Sequence, residues 1–354
     1  MTAPSVPLSS GEAATPAPRL LIPLVAAGLG IVLVAVAAIS LSLGASGLSP
    51  WALAMRDLTP AEAAILFDIR LPRLLLGALV GAGLAVSGAL MQGLFRNPLA
   101  DPGLVGVGAG SGLGAVIAIV LGGVMPATLR AAAGIYMVPL FAFFGGWVTT
   151  IILYRVASLR GHTSIATMLL AGIVLGALAG AGTGILIYLA DDNQLRDLTF
   201  WGLGSLAGAN WTKLTAAAPI ILTGLAVAPL LARGLNAMAL GEGVARHLGI
   251  PVQAVKRGAI LSVAAMTGAA VAVSGGIGFV GIVVPHILRL ATGPDHRSLL
   301  PLAALFGAAL LIAADTLSRL VVAPAELPIG IIMSLIGAPV FLWILLARRA
   351  VMEI

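Results

Sequence analysis

Ten times along the chain an apolar run returns that is long enough, or nearly long enough, to cross a lipid bilayer. A hydrocarbon core about 30 Å thick takes roughly 20 apolar residues per helix. The runs at 20–43, 72–94, 102–121, 136–156, 165–190, 212–232, 252–273, 277–291, 300–322 and 328–346 answer to that length. Strands of a membrane barrel would instead read as short segments of alternating polarity. Nor can the chain cover a water-facing surface, since only 9% of its 354 residues are charged, against about 25% in a soluble domain. The expected fold is an all-α polytopic membrane protein with ten transmembrane helices in a single domain, 20–354. Residues 1–19, rich in Pro, Ser, Ala and Thr, read as a disordered cytoplasmic tail. Little length is left for a soluble domain, which excludes a soluble enzyme and a nucleotide-binding domain within the chain.

Charge sets the expected orientation. With the N-terminus inside, the cytoplasmic segments hold Arg19, Arg96, Arg155, Arg160, Arg233, Arg246, Lys256, Arg257, Arg289, Arg297, Arg348 and Arg349, which is 12 of the 19 basic residues. Of the acids, Glu12, Asp101, Glu242, Asp295 and Glu353 fall inside and the rest outside. This is the positive-inside pattern, and it places both termini in the cytoplasm. It also accounts for the net charge of +6 through membrane lipid, with no nucleic acid as partner.

The spans are poor in chemistry. There is no cysteine, which removes thiolate catalysis and Cys-ligated metals. His162, His247, His286 and His296 are scattered, with no pair at zinc-site spacing, so no metal is expected. Gly is nowhere followed by Lys and then Ser or Thr, so no Walker A loop exists and the chain does not hydrolyse ATP by itself. It reads as a non-enzyme. Asp315 is the only carboxylate placed within a span, and Arg319 follows one turn later on the same face, as an i,i+4 ion pair would require. A proton- or sodium-coupled transporter would hold carboxylates near the midplane; a proton-coupled exporter or channel is therefore the competing class and not the first one.

Glycine falls at helical spacing. Gly172, Gly176, Gly180 and Gly184 form one four-residue ladder, and Gly106, Gly110 and Gly114 another. Such ladders let helix backbones approach closely; on the fifth span a smooth wall beside a solute path is the alternative. Residues 81–98 align without gaps to 268–285, sharing GA, AVSG and a final Pro, and would relate spans 2–5 to spans 7–10 as an inverted repeat. The loop Arg233–Gln253 suggests two short amphipathic helices at about 236–250, lying either on the membrane surface or against a partner. On the outer side Arg70 and Arg73 share a helical face, with Pro72 suited to a first turn. They serve as membrane anchors or as a docking site for an acidic partner.

Five segments carry a resemblance: RLPR at 70–73, GALMQGLFRNPLADPGLVGV at 88–107, ALGEGVARHLG at 239–249, GIGFVGIVVPHILRL at 276–290 and AELPIGIIMSLIGAPVFLWILL at 325–346. Together they resemble the permease subunits of iron-siderophore, haem and cobalamin ABC importers, the FecCD-type family. The resemblance implies a homodimer in the bacterial inner membrane, two ATP-binding subunits below it and a periplasmic substrate-binding protein above it. It assigns Glu242, Ala245, Arg246, Leu248 and Gly249 to the contact with the ATPase, and Arg70, Arg73 and Arg319 to the contact with the binding protein. Thr163, Ser164 and the ladder Gly172, Gly176, Gly180 and Gly184 fall on the translocation path. Gly108 and Ala109 stand where the cobalamin member has a polar inner gate, which leaves that gate in question. The stretch 191–211 looks most like the haem permeases, so haem is the expected solute, with a ferric siderophore or cobalamin as the alternative. His286 is then either a structural histidine beside Pro285 or a transient haem ligand. No permanently bound cofactor is implied, and ATP belongs to the partner subunit.

Overall fold

The computed structural model describes residues 21–43, 58–159 and 162–352. Twelve helices carry the architecture: α1 Leu21–Ser42, α2 Pro60–Phe95, α3 Val107–Leu121, α4 Met137–Ala157, α5 Ile165–Leu189, α6 Asp192–Gly202, α7 Trp211–Ala239, α8 Glu242–His247, α9 Val252–Ser274, α10 Val280–Thr292, α11 His296–Leu320 and α12 Ile329–Met352. A two-stranded hairpin, β1 Ser158–Leu159 with β2 His162–Thr163, joins α4 to α5. Among the described residues, eight helical stretches are long and apolar enough to cross a membrane, while α10 and Ile329–Trp343 of α12 are shorter apolar helices. The expected tail at 1–19 lies outside the described residues.

Helices α2, α9 and α11 form the buried middle of the bundle, whereas α1, α4 and α5 are exposed along most of their length. Small residues let the middle close up. A Cβ at Gly81 would strike the Gly307 carbonyl of α11, and one at Gly88 would strike the Gly281 backbone of α10. In lipid no hydrophobic force draws helices together, so this backbone contact and its dispersion energy hold the crossing. Buried hydroxyls return to their own helix: Thr150, Ser274, Thr292 and Thr316 donate to the carbonyls four residues back at 2.8 to 2.9 Å.

Several boundaries differ from the expected ones, each for a local reason. Helix α2 begins at Pro60 and not near 72, because Thr59 and Glu62 form a reciprocal capping box. Pro72 therefore lies inside a continuous helix. The wider turn Ile65–Arg70, whose end places the Leu71 N–H on the Leu66 carbonyl, leads into that proline, which has no N–H to give a regular ladder. Helix α7 runs on to Ala239, so Arg233–Ala239 is its last two turns and only one short helix, α8, follows. The chain breaks where Gly241 and Gly249 take φ of +110° and +77°. The two aligned segments also diverge: 81–98 begins inside unbroken α2, whereas 268–285 crosses the end of α9 at Gly275 and enters α10.

Candidate functional site

Helix α5 is exposed along most of its length. Its N-cap, Ser164, accepts from the Thr167 N–H, and it packs on α3 and α4. Gly172 is buried, but a Cβ added at Gly176, Gly180 or Gly184 would meet nothing within 4 Å. Leu170 and Ile173 are exposed beside that face, and Val174, Leu178 and Ile185 are exposed on the other side of the helix. Among the described residues, no side chain or backbone covers Gly176, Gly180 or Gly184 on this face. At its far end Arg196 of α6 lies 5.8 Å from the centre of the Phe200 ring, within cation–π range.

At the near end stands α8. Ala245 is fully buried and its carbonyl accepts from Ile250, which seats the short helix on the bundle. Leu240, Val244 and Leu248, four residues apart, are exposed, as is Arg246. Glu242 turns inward and meets the Lys256 ammonium at 2.6 Å, with Arg246 at 3.6 Å. Lys256 also donates to the Thr163 carbonyl at 2.8 Å. Residues expected at the ATPase contact and on the path are thus joined through Lys256, which the motifs did not single out. The only signal for it was a lone lysine in the first turns of a span.

The three arginines expected at the binding-protein contact cluster at the opposite end, around one buried carboxylate. Arg73 presents its Nε–Nη2 edge to Asp315 at 2.9 to 3.1 Å and its Nη1–Nη2 edge to Glu326 at 2.9 to 3.0 Å. Both forks are used. Because Arg73 and Asp315 are buried, removing Arg73 would leave Asp315 with Arg319 alone, and removing Asp315 would leave Arg73 with Glu326 alone, a destabilising loss in either case. Arg319 completes the expected i,i+4 pair with Asp315 at 3.3 Å. Its Nη1 donates to the Leu43 carbonyl and its Nη2 to Ser40 Oγ, while Arg70 donates to the Leu41 and Ser42 carbonyls. Arg70 and Arg319 therefore supply the donors that the C-terminal end of α1 lacks. Glu326, half-exposed, went unnoticed in the sequence because it follows a loop and has no span of its own.

Two further residues are placed. His286 is buried and engaged with its surroundings, as a structural histidine would be. Gly108 lines a cavity of about 210 Å³ with Asp101, Thr267 and Phe279. Asp101 caps the turn before α3 through the Gly103 N–H at 2.7 Å, and burial pushes its carboxyl above the usual carboxylate range.

The described residues form a bundle of apolar helices long enough to cross a membrane, with an open glycine face on α5 and a short helix, α8, beside exposed apolar side chains. Residues 32–347 match the FecCD transport family, and the chain belongs to it. The haemin transport system permease protein HmuU of Yersinia pestis is 47% identical over 319 residues, covering 90% of this chain and 94% of that protein. The vitamin B12 import system permease protein BtuC of Klebsiella pneumoniae is 41% identical over 325 residues, covering 91% and 93%. A solved metal-chelate type ABC transporter in an inward-facing conformation superposes with a TM-score of 0.80 at 34% identity, covering 90% of this chain and 97% of that one. The chain is thus a permease of an ABC importer, a multi-pass protein of the bacterial inner membrane.

Proposed function

We propose that the chain moves haem from a periplasmic binding protein to the cytoplasm as a homodimer of ten-helix subunits, driven by two separate ATP-binding subunits. The 47% identity to a haemin permease across nearly its whole length carries the choice of solute. Physical fit supports it: the open face of α5 offers a large flat apolar ring few polar groups to bind, and Arg196 stands where propionates would arrive. A second copy covers the rest of that face. Proteoliposomes holding the permease, its ATPase and its binding protein are expected to accumulate haemin only with ATP. ATP-driven uptake of cobalamin or a ferric siderophore, with none of haemin, would overturn the solute and leave the family untouched.

Helix α8 is the element that enters the ATPase. Exposed Val244 on α8, flanked by exposed Leu240 and Leu248 just outside it, offers the apolar side chains by which a short helix fills a groove, and Gly249 lets the chain turn away behind it. Gly249→Trp or Arg246→Glu is expected to abolish uptake while the dimer still assembles; wild-type transport in both would reduce α8 to a helix lying on the membrane. At the other end Arg70, Arg73 and Arg319 support the surface that receives the binding protein. All three are engaged within the chain, so they act by holding Asp315, Glu326 and the end of α1 in place beneath the rim. Charge near an interface acts mainly on association rate, so Arg319→Glu is expected to slow capture of the binding protein and flatten its salt dependence. Unchanged association kinetics would make the cluster a purely internal tie.

A further inference from the structure

Lys256 lies in the first turns of α9, only 2% exposed, where three elements converge. Its ammonium meets Glu242 Oε1 of α8 at 2.6 Å and donates to the Thr163 carbonyl at 2.8 Å, two residues ahead of α5. Three residues earlier on α9, Gln253 Oε1 accepts the Thr163 N–H at 3.0 Å. Both backbone groups of Thr163 are therefore held by α9. The Thr163 hydroxyl closes the hairpin on Ser158 Oγ at 2.8 Å, and Ser164 then caps α5.

A lysine whose only task was to set orientation would keep its charge in water. Here the charge is buried, and stretching either contact would leave it with one partner in place of two in a medium that penalises poorly paired charge. Resting on the roles given above to α8 and α5, we infer that Lys256 is a positioning residue that ties displacement of the ATPase-docking helix to the entrance of the path helix. Motion imposed on Glu242 reaches Thr163 through one side chain. The same lysine holds both ends, so neither moves without the other.

The chain has no cysteine, so single introduced cysteines can carry environment-sensitive probes without background. In the reconstituted full importer, a probe at Leu170→Cys on α5 and one at His247→Cys, at the exposed end of α8, should both respond to ATP binding. In the Lys256→Met background the α8 probe should still respond, the α5 probe should fall silent, and haemin carried per ATP hydrolysed should drop at least fivefold. An α5 probe that responds as before, with haemin per ATP unchanged, would overturn the inference. Should Lys256→Met fail to assemble, Glu242→Gln combined with Lys256→Met leaves neither charge of the pair buried alone and carries the same readouts. The probe signals need no solute, so they test the linkage even if the cargo proves to be cobalamin.

Discussion

On α3, a Cβ added at Gly110 would run into the Gly145 carbonyl of α4, and one at Gly114 into that of Phe141; on α5, one added at Gly176, Gly180 or Gly184 would meet nothing within 4 Å. Both helices carry glycine every fourth residue. The α3 ladder is consumed by packing against its neighbour, and Gly106 proves to be no rung at all, since it caps the helix with φ of +73°. The α5 ladder is left facing outward. Identical spacing therefore licenses close approach without saying who approaches: a helix of the same chain at α3, and at α5 no described residue.

The largest effect is expected from Gly114→Leu. Its side chain has to displace the α4 backbone, at or beyond the upper end of the about 1–3 kcal/mol that overpacking costs. The variant should yield little monodisperse protein in detergent, with a lowered thermal midpoint; a wild-type midpoint would mean that α3 and α4 do not touch as described.

Gly176→Leu with Gly180→Leu should do the reverse, folding with an unchanged midpoint while haemin uptake slows. If the two side chains raise the translocation barrier by about 1.4 kcal/mol, the rate falls about tenfold. Undiminished transport would assign this face of α5 to lipid.

The smallest contrast is one of sign. Gly180→Ala should stabilise by up to about 1 kcal/mol through helix propensity alone, whereas Gly110→Ala should destabilise because its methyl group has no room. Paired thermal melts in one detergent would show this, and equal shifts at both positions would erase the distinction between the ladders.

The outer cluster shows a similar division. Asp315 and Arg319 were legible as an ion pair because both lie on one helix, four residues apart. Arg73 reaches the same carboxylate from a residue 242 positions away, and nothing local in RLPR announces it. The join between Glu242, Lys256 and Thr163 likewise crosses three elements. The start of α2 was readable in retrospect from Thr59 and Glu62, a capping signal overshadowed by the more conspicuous Pro72.

What the residues determined alone was the apolar, helix-length character of successive segments and the resemblance that led to the family. Lipid is the reason: backbone groups in hydrocarbon must pair within their own helix, so a span is defined by the composition of one continuous segment. Which face of each span is buried was beyond that reading, because a helix facing lipid and a helix facing another helix are equally apolar. Only the tertiary structure could put α2, α9 and α11 in the middle, close α3 on α4, leave α5 open, and bring a lone lysine between α8 and the start of α5.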